Sequence, residues 1–462
     1  MLVAWRVGAL LLALYLATYA GGPHAVDEIA ELGVAASLLE RGAFDVDALY
    51  WTIPAAGSRA DAQVAVGPSG DVWSKKGLAP SLLMLPWRYL SERAPVPDMT
   101  FAALLAMVPV TAATGALLAA LARSLGLSAS GAAAAGLLFG LATPAWPYSR
   151  LGFGEPAIAL TLVAAALAGR RPTPTGALVA GLCAALGAWS KPSAFALALP
   201  IGLYALAAAS RGRLSRAAAF ALGLAAGLLP LGWYNLARFG SPLATGYALG
   251  AGEDFSGSLS LGLAGLLLSP YRGLVWFAPI CLAALALAPL AARRAPPEVA
   301  LAVASFATTL LTYAAWWTWW GGYAWGPRFL LPGLALLPLT IPLAWPALDR
   351  PARAAVGGLI ALSTLVQLPG ALVDFNPFER ALRARWPGFP LEGPLFRADS
   401  AQVVAHLLRL RREGAAALDL AWIQAGRPDW PLAIALAAAL AAAALAVASF
   451  ATTLLTYAAW WT

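Results

Sequence analysis

Charge is what this chain has least of. Only 11% of its 462 residues are Asp, Glu, Lys or Arg, against roughly 25% in soluble domains. At the same time 61% are hydrophobic and the mean hydropathy is +0.73. That deficit excludes a water-surrounded globule and implies an integral membrane protein. The two cysteines, Cys183 and Cys281, sit inside apolar runs, which argues against a disulfide framework or a thiolate metal site. The two histidines, His24 and His406, are too far apart in sequence to form a metal-spaced cluster. Asparagine is almost missing, and only Lys75, Lys76 and Lys191 are lysines among 30 basic residues. The net charge of +8 does not imply nucleic acid, because the cations are scattered between apolar runs, as in short cytoplasmic loops.

What the chain does have is hydrophobic length. Leu2 to Ala20 would cover roughly 28 Å as a helix, enough to cross a bilayer core. Thr18-Tyr19-Ala20-Gly21 is a passable signal-cleavage site, but an uncleaved first span is expected. Further apolar runs lie near 101–122, 129–147, 156–169, 176–190, 194–209, 217–234, 262–290, 299–317, 329–346, 354–373 and 431–449. The expected fold is therefore an all-α integral membrane protein of about twelve transmembrane helices. Residues 1–373 form the multi-span domain, 374–430 a second polar segment and 431–462 the last span. With the N-terminus inside, the inner loops hold Arg123, Arg170, Arg171, Arg211, Arg213, Arg216, Arg293, Arg294, Arg350 and Arg353. The short outer loops hold Arg150, Lys191, Arg238 and Arg328 only, a positive-inside bias. Ala300–Thr318 recurs unchanged as Ala444–Thr462. An exact single copy is unlike a structural repeat, and no functional weight rests on it.

The polar stretches are few and distinctive. The 22–100 segment is expected as a first external loop carrying short amphipathic helices. It opens GGPHAVDEIAEL, with Asp27 and Glu28, and closes GPSGDVWSKKGLAPSLLMLPWRYL, with Lys75 and Lys76. The other outer loops read PYSRLGFGEP around Arg150 and Glu155, AWSKPSA around Lys191 and WWGGYAWGPRF around Arg328. Gly and Pro at these points break helices where freed backbone can line a wet cavity.

These motifs resemble the bacterial members of the GT-C glycosyltransferase superfamily, in the branch of protein O-mannosyltransferases and aminoarabinose lipid A transferases. The likeness covers most of residues 1–373. It is carried by Asp27-Glu28 after the first span, SKKGLAPSLLMLPWRYL, and the late WWGGYAWGPRFLLP. The resemblance implies an enzyme of the cell inner or plasma membrane whose active site faces outside the cytoplasm. Such an enzyme moves a sugar from a polyprenyl-phosphate carrier to a lipid, glycan or protein hydroxyl. It makes Asp27 the catalytic carboxylate, Lys75 or Lys76 the phosphate ligand and Glu155 a second acid. Some distant relatives use a divalent metal, but no cofactor is demanded by spacing here. The lysine is not followed by the Pro-Pro of the aminoarabinose branch, and 374–430 matches no part of the family.

The residues suit that chemistry on their own terms. A lipid-phosphate sugar has a good leaving group, so transfer needs a base for the acceptor hydroxyl and cations for the departing phosphate. Asp27 is the candidate base, with Glu28 and Glu155 as the other candidate catalytic acids. Lys75, Lys76, Arg150 and Arg328 are the candidate phosphate ligands. On a helix Glu28 would point about 100° from Asp27, while Glu31 would return to its face. His24 could orient Asp27. The plainer reading is an amphipathic surface helix from Asp27 to Arg41 whose carboxylates face water. Two other functions compete: an O-antigen-type polymerase or ligase, with its catalytic loop at 374–430, and a polyprenyl-lipid or sugar transporter. Transporters place ionisable groups near the bilayer midplane and pair their halves, and neither pattern is visible. The arginine count predicts that single cysteines replacing Ser58 and Ser215 will label from opposite sides of the membrane. Labelling from one side would overturn this topology.

Overall fold

The computed structural model describes residues 2–49, 63–93, 99–207, 212–249, 252–386 and 395–424. The expected last span at 431–449 and the duplicated 444–462 lie outside them, as do residues 50–62 of the first loop. The described chain is mostly helical. The elements used below are α1 Leu2–Ala17, α2 Val26–Arg41, α3 Leu78–Ser91, α4 Met107–Ser124, α5 Ala129–Ala142, α6 Glu155–Gly169 and α7 Pro174–Ser190. They continue with α8 Arg213–Phe239, α9 Pro296–Ala314, α10 Arg350–Leu372, α11 Asn376–Arg385 and α12 Gln402–Glu413. One antiparallel hairpin, β1 Val64–Val66 and β2 Val72–Ser74, pairs Val64 with Ser74 and Val66 with Val72. The sequence reading expected only helices in this loop.

Four helical stretches among the described residues are long and apolar enough to cross a membrane: Thr100–Ser124, Arg213–Phe239, Pro296–Ala314 and Arg350–Leu372. A fifth is Arg328–Leu334 with Leu337–Ala347, bent by 43°. Among the described residues the other expected runs form shorter apolar helices, several of them broken at proline or glycine. The 262–290 run breaks into Leu259–Leu268, Leu274–Phe277 and Ile280–Ala291, interrupted by Pro270, Gly273 and Pro279. Helix α5 stops at Thr143-Pro144, where the Pro ring disfavours a helical residue before it. Leu222, Leu229 and Trp233 on α8 and Leu362 and Leu365 on α10 are exposed. Such apolar faces suit lipid better than water.

Two sets of loops gather at opposite ends of α6. At its C-terminal end Arg216 donates to the carbonyls of Gly169, Arg171, Thr173 and Ala205, a cation set on helix C-termini. There Arg170 also reaches Ser124 O at 2.8 Å. At the N-terminal end Glu155 meets Lys191 and Arg328. An α6 of 15 residues separates these ends by about 22 Å.

Between α7 and α8 the backbones touch. A Cβ at Gly223 would fall on the Leu178 carbonyl, and one at Gly181 on that of Phe220. Small residues at a crossing permit this close approach. Gly223→Ala is expected to destabilise the protein by about 1–3 kcal/mol, read as earlier thermal melting in detergent. Leu222→Ala, on the exposed face beside it, should change stability by only about 0.5 kcal/mol.

Candidate functional site

The site begins at the N-terminus of α2. The Glu28 carboxylate turns back over that terminus, accepting from His24 N at 2.5 Å and Ala25 N at 2.9 Å. It also accepts from Gly152 N at 2.5 Å. Helix starts leave such N–H groups unpaired, so Glu28 caps α2 and pins the 150–154 loop to it. Asp27, one residue earlier, points away from that cap and is 6% exposed. Its Oδ2 accepts Arg328 Nη1 at 2.9 Å and Lys76 Nζ at 3.0 Å.

Each cation arrives by its own route. The β1–β2 hairpin ends at Ser74, and Lys76 N donates to Ser74 Oγ at 3.0 Å before Gly77 starts α3. A Cβ at Gly77 would collide with the carbonyls of Trp189 and Ser190, so glycine lets this turn lie against the end of α7. The adjacent Lys75 points elsewhere, with Nζ held by Glu253 at 2.7 and 2.9 Å. Lys191, just past α7, bonds Glu155 Oε1 at 2.5 Å and lies 4.6 Å over the Phe329 ring. Arg328 joins the two carboxylates, its Nε standing 3.9 Å from Glu155. Its guanidinium rests against Phe153 and Phe329, at 4.6 and 4.9 Å from the ring centres.

Arg328 is delivered by a firmly held loop. Arg272 donates to the carbonyls of Trp320 and Gly322, and pairs with Glu379 of α11 at 2.6 Å. Gln402 of α12 bonds Ala324 O and accepts from Gly326 N. Tyr148 donates to Trp325 O at 2.8 Å. α11 and α12 thus hold this loop through Glu379 and Gln402. It is further fixed by Asp419, which takes Arg150 and, at 2.6 Å, His24.

Electrostatics sets the protonation pattern. Burial pushes the Asp27 carboxyl upward, but Lys76, Arg328 and Lys191 outweigh it and hold it well below the usual carboxylate range. Burial works against the Lys76 ammonium, yet Asp27 and Tyr247 move it upward. Lys191 goes the other way: burial, with Arg328 and Lys76 nearby, lowers it to about 8 despite Glu155. Glu31, one turn after Asp27 and 3% exposed, is driven well above its usual range by burial and then by Asp27. Its Oε2 has no hydrogen-bond partner.

Asp27, Lys76, Lys191 and Arg328 line a cavity of about 850 Å³, whose other walls carry Tyr247, Tyr313, Trp316 and Trp317. Of the residues singled out from sequence, Asp27, Lys76 and Arg328 meet there, and Glu155 stands behind them. Lys75 is diverted to Glu253. Glu28 and Arg150 do not join: Glu28 is a helix cap, and Arg150 is spent on Asp419 and the Ala371 carbonyl. The carboxylates at the start of α2, Asp27, Glu28 and Glu31, are buried rather than facing water, and only Glu40 near its end is exposed. Lys191 and Glu31 belong to the cluster but were not among the selected site residues. The rarity of lysine and the i, i+4 spacing from Asp27 were the signals for them. Among the described residues no group of three His, Cys, Asp or Glu side chains could hold a metal ion. Asp27 Oδ2 is already shared by two cations, so the residues do not fit a divalent metal. No protein-family model matches the chain, and no curated protein matches it.

With Lys191 near 8, one cavity cation is expected to disappear at mildly alkaline pH. Sulfate, whose charge is constant there, should bind the purified protein several-fold more weakly as pH rises through about 8. Lys191→Arg, which stays charged, should move that fall to higher pH. Isothermal titration at a series of pH values reads both.

Proposed function

We propose that this chain is a membrane glycosyltransferase that moves a sugar from a polyprenyl-phosphate carrier to an acceptor hydroxyl on the extracytoplasmic face. In this reading it has about twelve spans, a cytoplasmic N-terminus, and the Asp27 end of α6 outside. The observation that carries the reading is Asp27 on a cavity wall with two cations on one of its oxygens and a third beside them. A carboxylate for a hydroxyl proton and cations for a phosphate are what the reaction needs.

In the proposed step Asp27 takes the acceptor proton while the hydroxyl oxygen bonds the anomeric carbon. The bond from that carbon to the phosphate oxygen breaks, and its electron pair leaves with the phosphate. Lys76 and Arg328 stabilise the charge that grows there, and Lys191 adds to the field. Glu155 fixes Lys191 and steadies Arg328. No step runs through a metal. A transporter reading is disfavoured because the charged groups of the cavity gather at one end of α6 rather than along it.

Asp27→Asn keeps the size of the side chain but cannot take a proton. It should leave the protein inserted and lower sugar transfer from a purified polyprenyl-phosphate donor by about 10²–10⁴-fold, mainly in turnover. Glu28→Gln should act chiefly on stability, since it disturbs a buried cap. Near-normal transfer by Asp27→Asn, with loss in Glu155→Gln, would move the base to Glu155. Indifference to both would remove the enzyme reading.

A further inference from the structure

We infer that Asp27 and the donor phosphate compete for the same two cations, so that arrival of the phosphate is what frees Asp27 to act as a base. The inference rests on the proposed transfer reaction and concerns how its site is switched on. Lys76 Nζ and Arg328 Nη1 both bond one oxygen, Oδ2 of Asp27, at 3.0 and 2.9 Å. All three side chains are 7–8% exposed, so water contributes little to their solvation. A carboxylate held this way is a weak base. In the resting site the two cations are thus occupied by the catalytic group itself.

The charge balance shows why an anion would enter. The groups facing Asp27 are Lys76 from the hairpin end, Arg328 and Lys191 from two other loops, Glu155 from α6, and Glu28 and Glu31 from α2 itself, with Tyr247 opposite. Glu28 is turned to backbone N–H groups, and burial beside Asp27 works against the charged form of Glu31. Three cations, Lys76, Lys191 and Arg328, thus pair with only two carboxylates, Asp27 and Glu155. Arg328 would not follow Asp27 away, because Glu155 and two phenylalanine rings hold it from behind.

The same exchange completes itself during transfer. The donor is a phosphodiester with one negative charge, and the leaving prenyl phosphate carries two. Asp27 starts with one and ends with none, having taken the hydroxyl proton. One negative charge therefore passes from Asp27 to the phosphate, and Lys76 and Arg328 pass with it. Their interaction with the phosphate is strongest in the transition state and after, where it accelerates the step.

Phosphate binding tests this without a transfer assay. Asp27→Asn should bind inorganic phosphate, and separately farnesyl phosphate, about ten-fold or more tightly than the unaltered protein, because the competing anion is gone. Glu40→Gln, at the other end of α2, should bind as the unaltered protein does, and Arg328→Gln more weakly. A gain for farnesyl phosphate alone would assign the site to a lipid headgroup, and a gain for both to phosphate in general. Equal or weaker binding by Asp27→Asn overturns the inference. A second test uses the unaltered enzyme: the acid limb of kcat should lie at higher pH than that of kcat/KM, since only the former reports the donor complex. Coincident limbs overturn it. Tighter phosphate binding by Asp27→Asn with no sugar transfer by the unaltered protein would keep the competition and reject the glycosyltransferase. Transfer without that gain would do the reverse.

Discussion

Arg328 standing between Asp27 and Glu155 is the interaction on which the cavity depends. Taking one ion into a protein interior costs several kcal/mol after relaxation, and only good pairing repays it. Here the pairing is distributed. Asp27 comes from the start of α2, Glu155 from the start of α6, Lys76 from a hairpin end, and Lys191 and Arg328 from two separate loops. Five points of the chain, distant in sequence, are thus drawn together by charge in a protein that has little charge to use. Starting two helices at the site adds to the effect, because helix N-termini favour the negative groups placed there.

A second network does not touch the cavity but fixes its geometry. The loop from Ala315 to Pro327 carries three glycines, Gly321, Gly322 and Gly326, all at positive φ. Such backbone holds its shape only when neighbours restrain it. Arg272, Glu379, Gln402 and Tyr148 do so, each within hydrogen-bond distance of that loop or of one another. Asp419 performs the matching task at the start of α2, gripping His24 and Arg150. The described residues of the polar 374–424 segment thus restrain both the loop that carries Arg328 and the start of α2.

How much of this is legible in sequence varies by residue and for physical reasons. The helical, apolar character follows from composition, and exposed apolar faces such as that of α8 suit lipid better than water. Asp27 and Arg328 stand out because each sits at a helix break in a chain where polar side chains are rare. Lys76 could not be separated from Lys75, since adjacent residues at a strand end point to opposite sides, and only the hairpin's register decides which one meets Asp27. Arg150 looked like Arg328 in sequence. What sets it apart is Asp419, a partner 269 residues away that no local pattern signals. Glu28 was drawn in by adjacency to Asp27, yet position three of a helix is where a glutamate closes back on its own N-terminus.

Glu31 shows how much a single uncharged acid can decide. Helical spacing places it one turn below Asp27, so any residue there is bound to sense that carboxylate. Ionised, it would add a negative charge beside Asp27 and draw on the same Lys76. No cation bonds it among the described contacts, burial disfavours its charged form, and Asp27 disfavours it again. Both effects favour its protonated form, which leaves Lys76 and Arg328 to Asp27. A side chain outside the cavity wall thus bears on the charge an incoming ligand meets, through its protonation rather than through contact.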